Sequence, residues 1–363
     1  MEKKVKIGII GCGGIGTGKH LPSLAKVPEA EVVAFCDIIP ERAEKAAKEF
    51  GPADARVYTD YKELLEKEKD IEVIHVCTPN RMHAPITIDA LESGRHVMCE
   101  KPMAKTYEDA KAMLDAARRT GKKLTIGYQN RQRPDAQYLK GIVSRGDLGD
   151  IYYAKALALR RRAVPTWGVF LNEFEQGGGP LIDIGTHALD LTLWMMNNYE
   201  PAYVVGTKYR KLADDTDQGN AWGPWDPKTF TVEDSAFGFI VMKNGATIVL
   251  ESSWALNIAD PIEASCTLCG TKGGSDMNDG LRINYIDQNR QCLAKPNFDA
   301  GSGAAFFEGL KDNDPAGHEA RQWIDAVLND TDPCVLPEQA LCVTRILEAI
   351  YTSSVTGKPV YFD

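Results

Sequence analysis

The sequence predicts an α/β domain with a parallel, doubly wound sheet in the N-terminal part of the chain, followed by a second domain. Short apolar runs, among them Val5–Ile10, Val32–Cys36 and Val73–Cys77, alternate there with longer helical segments. Strands that alternate with helices form parallel sheets, and these sheets bind ligands at the carboxyl ends of their strands. A glycine-rich turn directly after the first run marks the first of these ends.

Composition and charge limit the class of protein. The chain has 363 residues, of which 44% are hydrophobic and 26% charged, as in globular proteins of two domains. The net charge of −9 is spread along the chain and forms no basic stripe, so we expect no nucleic-acid partner. No apolar run reaches transmembrane length and the N-terminus lacks a signal-peptide pattern, so we expect no membrane association.

Cysteine usage indicates the redox compartment. The nine cysteines are scattered and several lie in strand-like runs, which favours a reduced, cytoplasmic setting over a disulfide framework. Cys266 and Cys269 form the single C-x-x-C pair of the sequence. Since no second pair and no nearby histidine accompany them, we expect strand residues there and no metal site.

The turn after the first strand matches the dinucleotide-binding pattern G-x-G-x-x-G and precedes a helix predicted from Ile15 to Val27. The first glycine permits the tight turn, the second lets a pyrophosphate approach the backbone, and the third lets helix and strand pack closely. The helix N-terminus then offers free N–H groups to the phosphates. The cofactor-binding residues predicted at this turn are Gly11, Gly13, Gly14, Ile15 and Gly16.

Asp37 ends the second strand and lies 21 residues after Gly16, close to the spacing of about 20 expected for a ribose-binding carboxylate. A carboxylate accepts a hydrogen bond from the ribose 2′-hydroxyl and repels a 2′-phosphate. Arg42 is near enough to reach such a phosphate, so NADP remains the lesser alternative to NAD. The competing interpretation is a glycine turn followed by an unrelated acid.

The alternation continues to residue 127. Helices are predicted at Glu41–Phe50, Asp60–Lys67, from Asn80 to Ser93 and at Tyr107–Thr120, and strands near Val57, at Val73–Cys77, His96–Cys99 and Leu124–Gly127. His75 and His96 lie in strands, and we expect them to be structural. His83, on the helix after Asn80, either lines the cofactor or packs. Further cofactor-binding candidates at the carboxyl ends of these strands are Thr78, Pro79, Asn80, His83, Glu100, Lys101 and Asn130.

Lys101 follows a buried strand at this edge, and Pro102 after it restricts the local backbone. An ammonium group there would lie beside the nicotinamide and a substrate hydroxyl, where it favours an alkoxide and speeds hydride loss. The alternative is a surface salt bridge with Glu100.

The stretch GGGPLIDIGTHALDL, Gly177–Leu191, combines a glycine loop with an apolar-periodic helix. Pro180 suits an early helical position. Asp183 and His187 are four residues apart and share one helix face, so they are a candidate acid/base pair. The alternative is a hydrogen bond on the helix surface.

Together the motifs GCGGIG, CTPNRMH, EKP and GGGPLIDIGTH resemble the glucose–fructose oxidoreductase / inositol dehydrogenase / MocA (Gfo/Idh/MocA) oxidoreductase family over nearly the whole chain. The resemblance implies an N-terminal NAD(P)-binding Rossmann domain, residues 1–128, and an α+β substrate-binding and oligomerisation domain, residues 129–363, with a large, mostly antiparallel sheet. It also implies that Lys101, Asp183 and His187 occupy the family's catalytic positions. The segment from Tyr128 departs from the family form G-Y-x-R-R-F-x-P at Asn130 and Gln132.

The second part of the chain begins with a helix from Pro134 to Arg145. The strands predicted next are Ile151–Leu159, Tyr203–Tyr209, Asp234–Met242, Thr247–Trp254, Glu263–Leu268 and Leu281–Ile286, and the helices are His318–Leu328 and Glu338–Ser353. Asn244-Gly245 is a strong hairpin signal. The strands form an antiparallel sheet whose open face needs a cover, so we predict a homo-oligomer, a dimer or a tetramer.

Two polar segments in this part of the chain contain aromatic residues that are candidates for contacting a substrate. Arg160, at the start of a basic cluster, and Trp167 close behind it are either a solvated strand end or a substrate loop. In the loop 212–229, Trp222 and Trp225 either stack on a sugar ring or anchor the loop.

These features predict an NAD-dependent oxidoreductase that transfers a hydride between nicotinamide and a secondary alcohol of a cyclic polyol or sugar. His187 would be the general base, since an ordinary pKa of about 6.5 suits that task, and Asp183 would orient it. The alternatives are a glycoside hydrolase that retains NAD and oxidises the sugar transiently, and an NAD-sensing regulator. The predicted substrate-binding residues are Lys101, Arg160, Trp167, Asp183 and His187.

Overall fold

The computed structural model describes residues 4–215, 217–298 and 314–363, and the chain forms two compact units. The first comprises Met1–Gln129 and Ala316–Thr344, and the second comprises Asn130–Pro315 and Arg345–Asp363. The sequence predicts a single division, after residue 128, and assigns no later segment to the first unit. Residues 316–344 return to it because Trp323 and Ile324 pack in its hydrophobic core.

The first unit contains a sheet of six parallel strands. In chain order they are β1 (Val5–Ile10), β2 (Ala30–Cys36), β3 (Arg56–Tyr58), β4 (Val73–Val76), β5 (His96–Cys99) and β6 (Leu124–Ile126). Their spatial order is β3-β2-β1-β4-β5-β6, so the strand order reverses between β1 and β4. A crevice opens at such a reversal, outside the carboxyl ends of the strands. The predicted doubly wound sheet is confirmed.

Ten α-helices lie in the described part of the chain. They are α1 (Leu21–Leu24), α2 (Pro40–Phe50), α3 (Tyr61–Lys67), α4 (His83–Glu92), α5 (Tyr107–Thr120), α6 (Pro134–Ser144), α7 (Glu173–Gln176), α8 (Thr186–Met196), α9 (Pro315–Leu328) and α10 (Pro337–Thr356). None of these helices has the length and apolar character needed to cross a membrane. The helix predicted from Ile15 to Val27 is shorter: a π-helical turn, Gly16–His20, leads into α1, which ends at Leu24.

The second unit contains a mixed sheet of nine strands. They are β7 (Ile151–Leu159), β8 (Pro201–Tyr209), β9 (Ser235–Met242), β10 (Thr247–Ser253), β11 (Ile262–Gly270), β12 (Gly273–Asp276), β13 (Arg282–Asp287), β14 (Arg290–Ala294) and β15 (Val360–Tyr361). Their order is β14-β13-β12-β11-β7-β10-β9-β8-β15, and only β7 and β10 pair in parallel among these strands. The predicted, mostly antiparallel sheet is confirmed, and so is the hairpin around Asn244-Gly245.

The two faces of this sheet differ. One face is covered by α8 and by a π-helical turn before it, Leu181–Gly185, which pack on β7, β10 and β11. The other face carries Val205, Phe239 and Val249 side by side on β8, β9 and β10. Phe239 is 46% exposed there, so an apolar row lies open on this face of the unit.

A buried ion pair fixes α8 within the second unit. The Arg131 guanidinium donates two hydrogen bonds to the Asp190 carboxylate, Nε to Oδ2 at 2.9 Å and Nη2 to Oδ1 at 2.6 Å. Both side chains are buried, and the ring of Trp194 lies 5.6 Å from the guanidinium carbon. Paired geometry of this kind compensates the loss of hydration that burial imposes on both charges.

Asp190→Asn should destabilise the protein, because it leaves the Arg131 charge buried without its counter-ion. Removal of one partner of a buried pair costs about 3–5 kcal/mol of unfolding free energy. Urea denaturation measures the loss. Asp147→Asn is the matched control, since Asp147 also accepts two bonds from one arginine, Arg145, but in an exposed pair. Its cost should be below about 1 kcal/mol. Equal costs for the two variants would show that burial adds nothing to the contribution of the Arg131–Asp190 pair.

Candidate active site

The glycine turn after β1 leaves open space above the backbone. Gly11 has φ of +101°, and a side chain there would put Cβ 2.4 Å from the carbonyl oxygen of Cys77. Cβ atoms added at Gly13 or Gly14 would meet no other atom within 4 Å. Gly16 opens the π-helical turn, and Ile15 before it is exposed. The turn is therefore tight at Gly11 and open at Gly13 and Gly14, as a cradle for a pyrophosphate requires.

Asp37 is fixed at the end of β2 beside this turn. Its Oδ2 accepts a hydrogen bond from the backbone N–H of Cys12 at 2.8 Å, and its Oδ1 accepts one from Ile39 at 2.9 Å. Each carboxylate oxygen has two lone pairs, so the group keeps capacity for a ribose hydroxyl. A held carboxylate next to an open glycine cradle fits the adenosine part of NAD.

The loops after β4 and β5 are joined by His83. Its Nδ1 lies 2.8 Å from the carbonyl oxygen of Pro102, and its Nε2 lies 2.9 Å from that of Thr78. The side chain is buried, and burial lowers its pKa from the ordinary value, although the two carbonyl contacts oppose this change. Thr78, Pro79 and Asn80 are thus held relative to the loop after β5, which contains Pro102.

Glu100, directly before Lys101, is buried in a network of charged groups. Its Oε1 accepts hydrogen bonds from Lys19 Nζ at 2.7 Å and His20 Nε2 at 2.8 Å, and its Oε2 accepts one from the Lys101 backbone N–H at 3.1 Å. Burial alone would raise the pKa of this carboxyl, but Lys19 and His20 hold it well below its usual range. The Glu100 side chain therefore bonds inside the first unit and orients the backbone at Lys101.

The same network includes three residues for which the sequence makes no prediction, Lys19, His20 and Glu319. Lys19 Nζ also bonds to Glu319 Oε2 at 2.9 Å, and the Nδ1 atoms of His20 and His75 lie 2.9 Å apart. His75, which the sequence predicts to be structural, is buried within this network. His96 also bonds within the unit, where its Nδ1 accepts the backbone N–H of Lys123 at 3.0 Å.

In the second unit, the helix with Asp183 and His187 starts at a buried carboxylate. Glu233 accepts hydrogen bonds from the backbone N–H groups of Gly179 and Leu181, at 2.9 and 3.2 Å, and from the Tyr351 hydroxyl at 2.7 Å. A Cβ at Gly179 would lie 2.2 Å from the backbone oxygen of Glu233, so only glycine permits this approach. A carboxylate at a helix start satisfies N–H groups that have no partner within the helix.

Asp183 and His187 lie on either side of the change from π- to α-helix. Asp183 is in the π-helical turn Leu181–Gly185, and its Oδ2 accepts a hydrogen bond from the indole Nε1 of Trp254 at 3.0 Å. His187 is in the first turn of α8, and its Nδ1 is buried. Single π-helical turns inside helices occur frequently at functional sites. The sequence predicts one continuous α-helix through both residues. The structure instead has a wider π-helical turn at Asp183, followed by a regular α-helical turn at His187.

Asn130 lies in the 3₁₀ turn Gln129–Gln132 after β6. The neighbouring Arg131 directs its side chain toward Asp190 within the second unit, and Tyr128 is buried. In the segment that departs from the family form, Arg131 therefore packs against α8 through its bond to Asp190.

Arg160, Trp167 and Trp222 lie together at the exit of β7. Arg160 Nε and Nη2 each donate to the Glu263 carboxylate at 2.6 Å, and its guanidinium lies 5.1 Å from the ring centre of Trp222. The Trp167 and Trp222 ring centres are 4.9 Å apart.

Trp225, in contrast, is buried and donates from Nε1 to the Ala213 carbonyl, so it anchors the loop 212–229. Thr216 of this loop lies outside the described residues.

Sequence patterns do not reveal the groups that support these helices and side chains. They predict Trp254 only as the end of a strand, and they predict no role for Glu233 or Asp190. The partners of these three residues lie 71, 54 and 59 residues away, in Asp183, Gly179 and Arg131. No local pattern in a single sequence indicates such pairings, because strand register and helix packing create them.

Two family models match the chain in succession. Residues 5–128 match the model described as "Oxidoreductase family, NAD-binding Rossmann fold", and residues 136–275 match the "GFO/IDH/MocA C-terminal domain". Together they cover most of the chain and both of its sheets in large part.

Individual relatives agree with these matches. The D-glucoside 3-dehydrogenase of Escherichia coli strain K12 is 35% identical over 356 residues, which cover 98% of this chain and 97% of that protein. The inositol 2-dehydrogenase of Salmonella paratyphi B is 33% identical over 276 residues, 75% of this chain and 74% of that protein.

A solved structure shares the fold. The levoglucosan dehydrogenase complex with NADH and levoglucosan superposes with a TM-score of 0.82 over 99% of both chains, at 22% identity, which shows a common fold alone. With both family models and the full-length relative in agreement, the chain belongs to the Gfo/Idh/MocA family of NAD-dependent oxidoreductases.

Proposed function

We propose that this enzyme oxidises a secondary alcohol of a sugar or cyclic polyol, with glucosides and inositols as the first classes to test. The observation that carries the proposal is the helix start at which Glu233 and Trp254 hold the segment with Asp183 and His187. The full-length match to a D-glucoside 3-dehydrogenase and the partial match to an inositol 2-dehydrogenase support the choice of substrates.

The cofactor-binding role falls on the carboxyl edge of the first unit's sheet. NAD, when bound, accepts the hydride. We assign the pyrophosphate to the turn from Gly11 to Gly16 and the ribose to Asp37. Thr78, Pro79, Asn80, Lys101 and Asn130 are proposed to contact the cofactor as well. His83 and Glu100, whose side chains bond to protein groups, would act by holding the loops around them.

The proton chemistry is assigned to His187. Its buried Nδ1 leaves Nε2 as the atom that takes the hydroxyl proton during oxidation and returns it during reduction. Asp183, held by Trp254, would orient the imidazole or the substrate and stabilise the imidazolium. The Lys101 ammonium would stabilise the developing alkoxide.

His187→Ala should lower kcat by roughly 10²–10⁴-fold, the usual contribution of general acid/base catalysis. Steady-state assays of reduced nicotinamide on an accepted glucoside or inositol measure the effect. The affinity for NAD⁺, titrated on the same variant, is the control and should stay unchanged. Full turnover by the variant would remove His187 from the mechanism.

Asp37→Asn should shift the cofactor preference toward NADP⁺, because it removes the charge that repels a 2′-phosphate. We expect the ratio of the NADP⁺ and NAD⁺ dissociation constants to fall about tenfold. Calorimetric titration of both cofactors measures this ratio. Glu41→Gln removes an exposed charge at the start of α2 and is the matched control. An equal shift in the control would show that Asp37 does not set the preference.

We also propose that the enzyme is a homo-oligomer, a dimer or tetramer, in which the open sheet faces of two copies pair. The apolar row of Val205, Phe239 and Val249 supports this, since a second copy would bury the same row from the other side. A cytoplasmic location is proposed as well, because none of the nine cysteines, all of which lie in described residues, forms a disulfide bond.

Phe239→Lys should separate the copies, since pairing would bury two lysine charges against each other. Light scattering after size-exclusion chromatography should then report one chain, 39.9 kDa, where the unmodified protein reports a multiple of that mass. Phe174→Lys, at an exposed aromatic outside the sheet, should keep the multiple. An unchanged mass for the Phe239 variant would exclude pairing through this row.

The sequence leaves two other functions open. A hydrolase with retained NAD would release a sugar without net reduction of the cofactor, and a regulator would need no acid/base pair. The glucoside and inositol relatives described above are dehydrogenases, so neither alternative is favoured.

A further inference from the structure

Two tryptophans stand in contact on the surface of the second unit. Trp167 is 52% exposed and Trp222 is 43% exposed, and their ring centres lie 4.9 Å apart with an angle of 73° between the planes. The two indoles therefore form a corner with apolar walls. Exposed clusters of large aromatic side chains commonly mark binding sites, because an indole combines a large apolar face with a polar N–H.

A row of aromatic rings connects this corner to the proposed catalytic carboxylate. Trp167 lies 6.0 Å from Phe170, and Phe170 lies 6.5 Å from Trp254, both edge to face. Trp254 Nε1 donates to Asp183 Oδ2 at 3.0 Å. All of these groups belong to the second unit, so the row runs from an exposed surface to Asp183 within one compact body.

The corner is built on a rigid base. Asn220 bonds to both the N–H and the carbonyl of Val164, at 2.8 and 3.0 Å, and the Thr166 hydroxyl donates to the carbonyl of Trp222 at 2.8 Å. Trp225 anchors the same loop through its buried ring, which contacts Phe230 at 5.9 Å. Because these bonds fix both loops, the indoles are preorganised for a ligand.

The charge of Arg160 is already compensated. Both of its bonds to Glu263 measure 2.6 Å, and the guanidinium covers the Trp222 ring at 5.1 Å. A phosphate or carboxylate ligand would have to compete with Glu263 for this cation. With Arg160 held by Glu263, the two indole rings are the groups that a ligand would contact, and they favour an apolar face such as that of a pyranose ring or an aromatic ring.

We propose that Trp167, Phe170 and Trp222 form a second subsite, which binds the aglycone ring of a glycoside whose oxidised ring lies at Asp183. The occupant is a second pyranose ring, so the preferred substrates are disaccharides or longer glucosides. This inference rests on the proposed sugar oxidation and adds the class of substrate. It also gives the loop 212–229 a role, since this loop presents Trp222.

The test compares Trp222→Ala with the unmodified enzyme on glucose disaccharides and on methyl glucosides, with NAD⁺ present. Loss of an aromatic contact should raise KM for the disaccharide roughly three- to tenfold and leave kcat unchanged. KM for the methyl glucoside, which has no second ring, should not change. Trp222→Phe should restore most of the disaccharide affinity, and Phe174→Ala, at an exposed aromatic of the same unit, should match the unmodified enzyme.

Aryl glucosides form a further arm that distinguishes the kind of ring. If KM increases in Trp222→Ala only for the disaccharides, the result supports a subsite for a pyranose ring. If KM increases only for the aryl glucosides, the result overturns the identification of the occupant as a pyranose ring. Equal KM values for variants and unmodified enzyme on the disaccharides would overturn the subsite itself, while oxidation of methyl glucosides would leave the proposed function intact.

Failure of the proposed function is detected separately. If no sugar is oxidised, calorimetric titration of the NAD-bound protein with the disaccharide still tests the subsite without turnover. Binding that is lost in Trp222→Ala and kept in Trp222→Phe supports it. Binding that is equal in all variants, or absent throughout, overturns it.

Discussion

The buried carboxylate of Glu233 holds the start of the helix on which the proposed chemistry depends. It gathers the backbone N–H groups of Gly179 and Leu181 and the hydroxyl of Tyr351 at one point. Burial raises the pKa of this carboxyl, whereas these hydrogen bonds lower it. These three hydrogen bonds hold the backbone at which the π-helical turn with Asp183 begins, directly before α8.

Trp254 extends this constraint in two directions. Its indole holds Asp183, and its ring contacts Phe170 and Phe230 at 6.5 and 6.4 Å. The side chain that orients the proposed catalytic carboxylate therefore also belongs to the aromatic row that ends at the exposed tryptophans. The proposed acid/base chemistry and the proposed recognition of a second ring thus both depend on Trp254. A large buried aromatic side chain directly after β10 can serve both.

Local patterns predict much of the fold, whereas contacts between distant segments cannot be predicted from them. The parallel sheet, the turn at Gly11 and the position of Asp37 follow from spacing within about 30 residues of chain. By contrast, β12 consists of Gly-Gly-Ser-Asp, which has little strand propensity, and it forms because β11 and β13 pair with it. The support from Glu233 and Trp254 likewise depends on register, so only the structure reveals it.

Transfer of a deuterium label tests the central claim most directly. The enzyme would be incubated with NAD⁺ and a glucoside deuterated at every ring carbon, and the nicotinamide and sugar products would be measured by mass spectrometry. Hydride transfer from a secondary alcohol predicts NADH with one deuterium and an oxidised glucoside whose glycosidic bond is intact. Release of free sugar without deuterated NADH would contradict the account and indicate hydrolysis by transient oxidation instead.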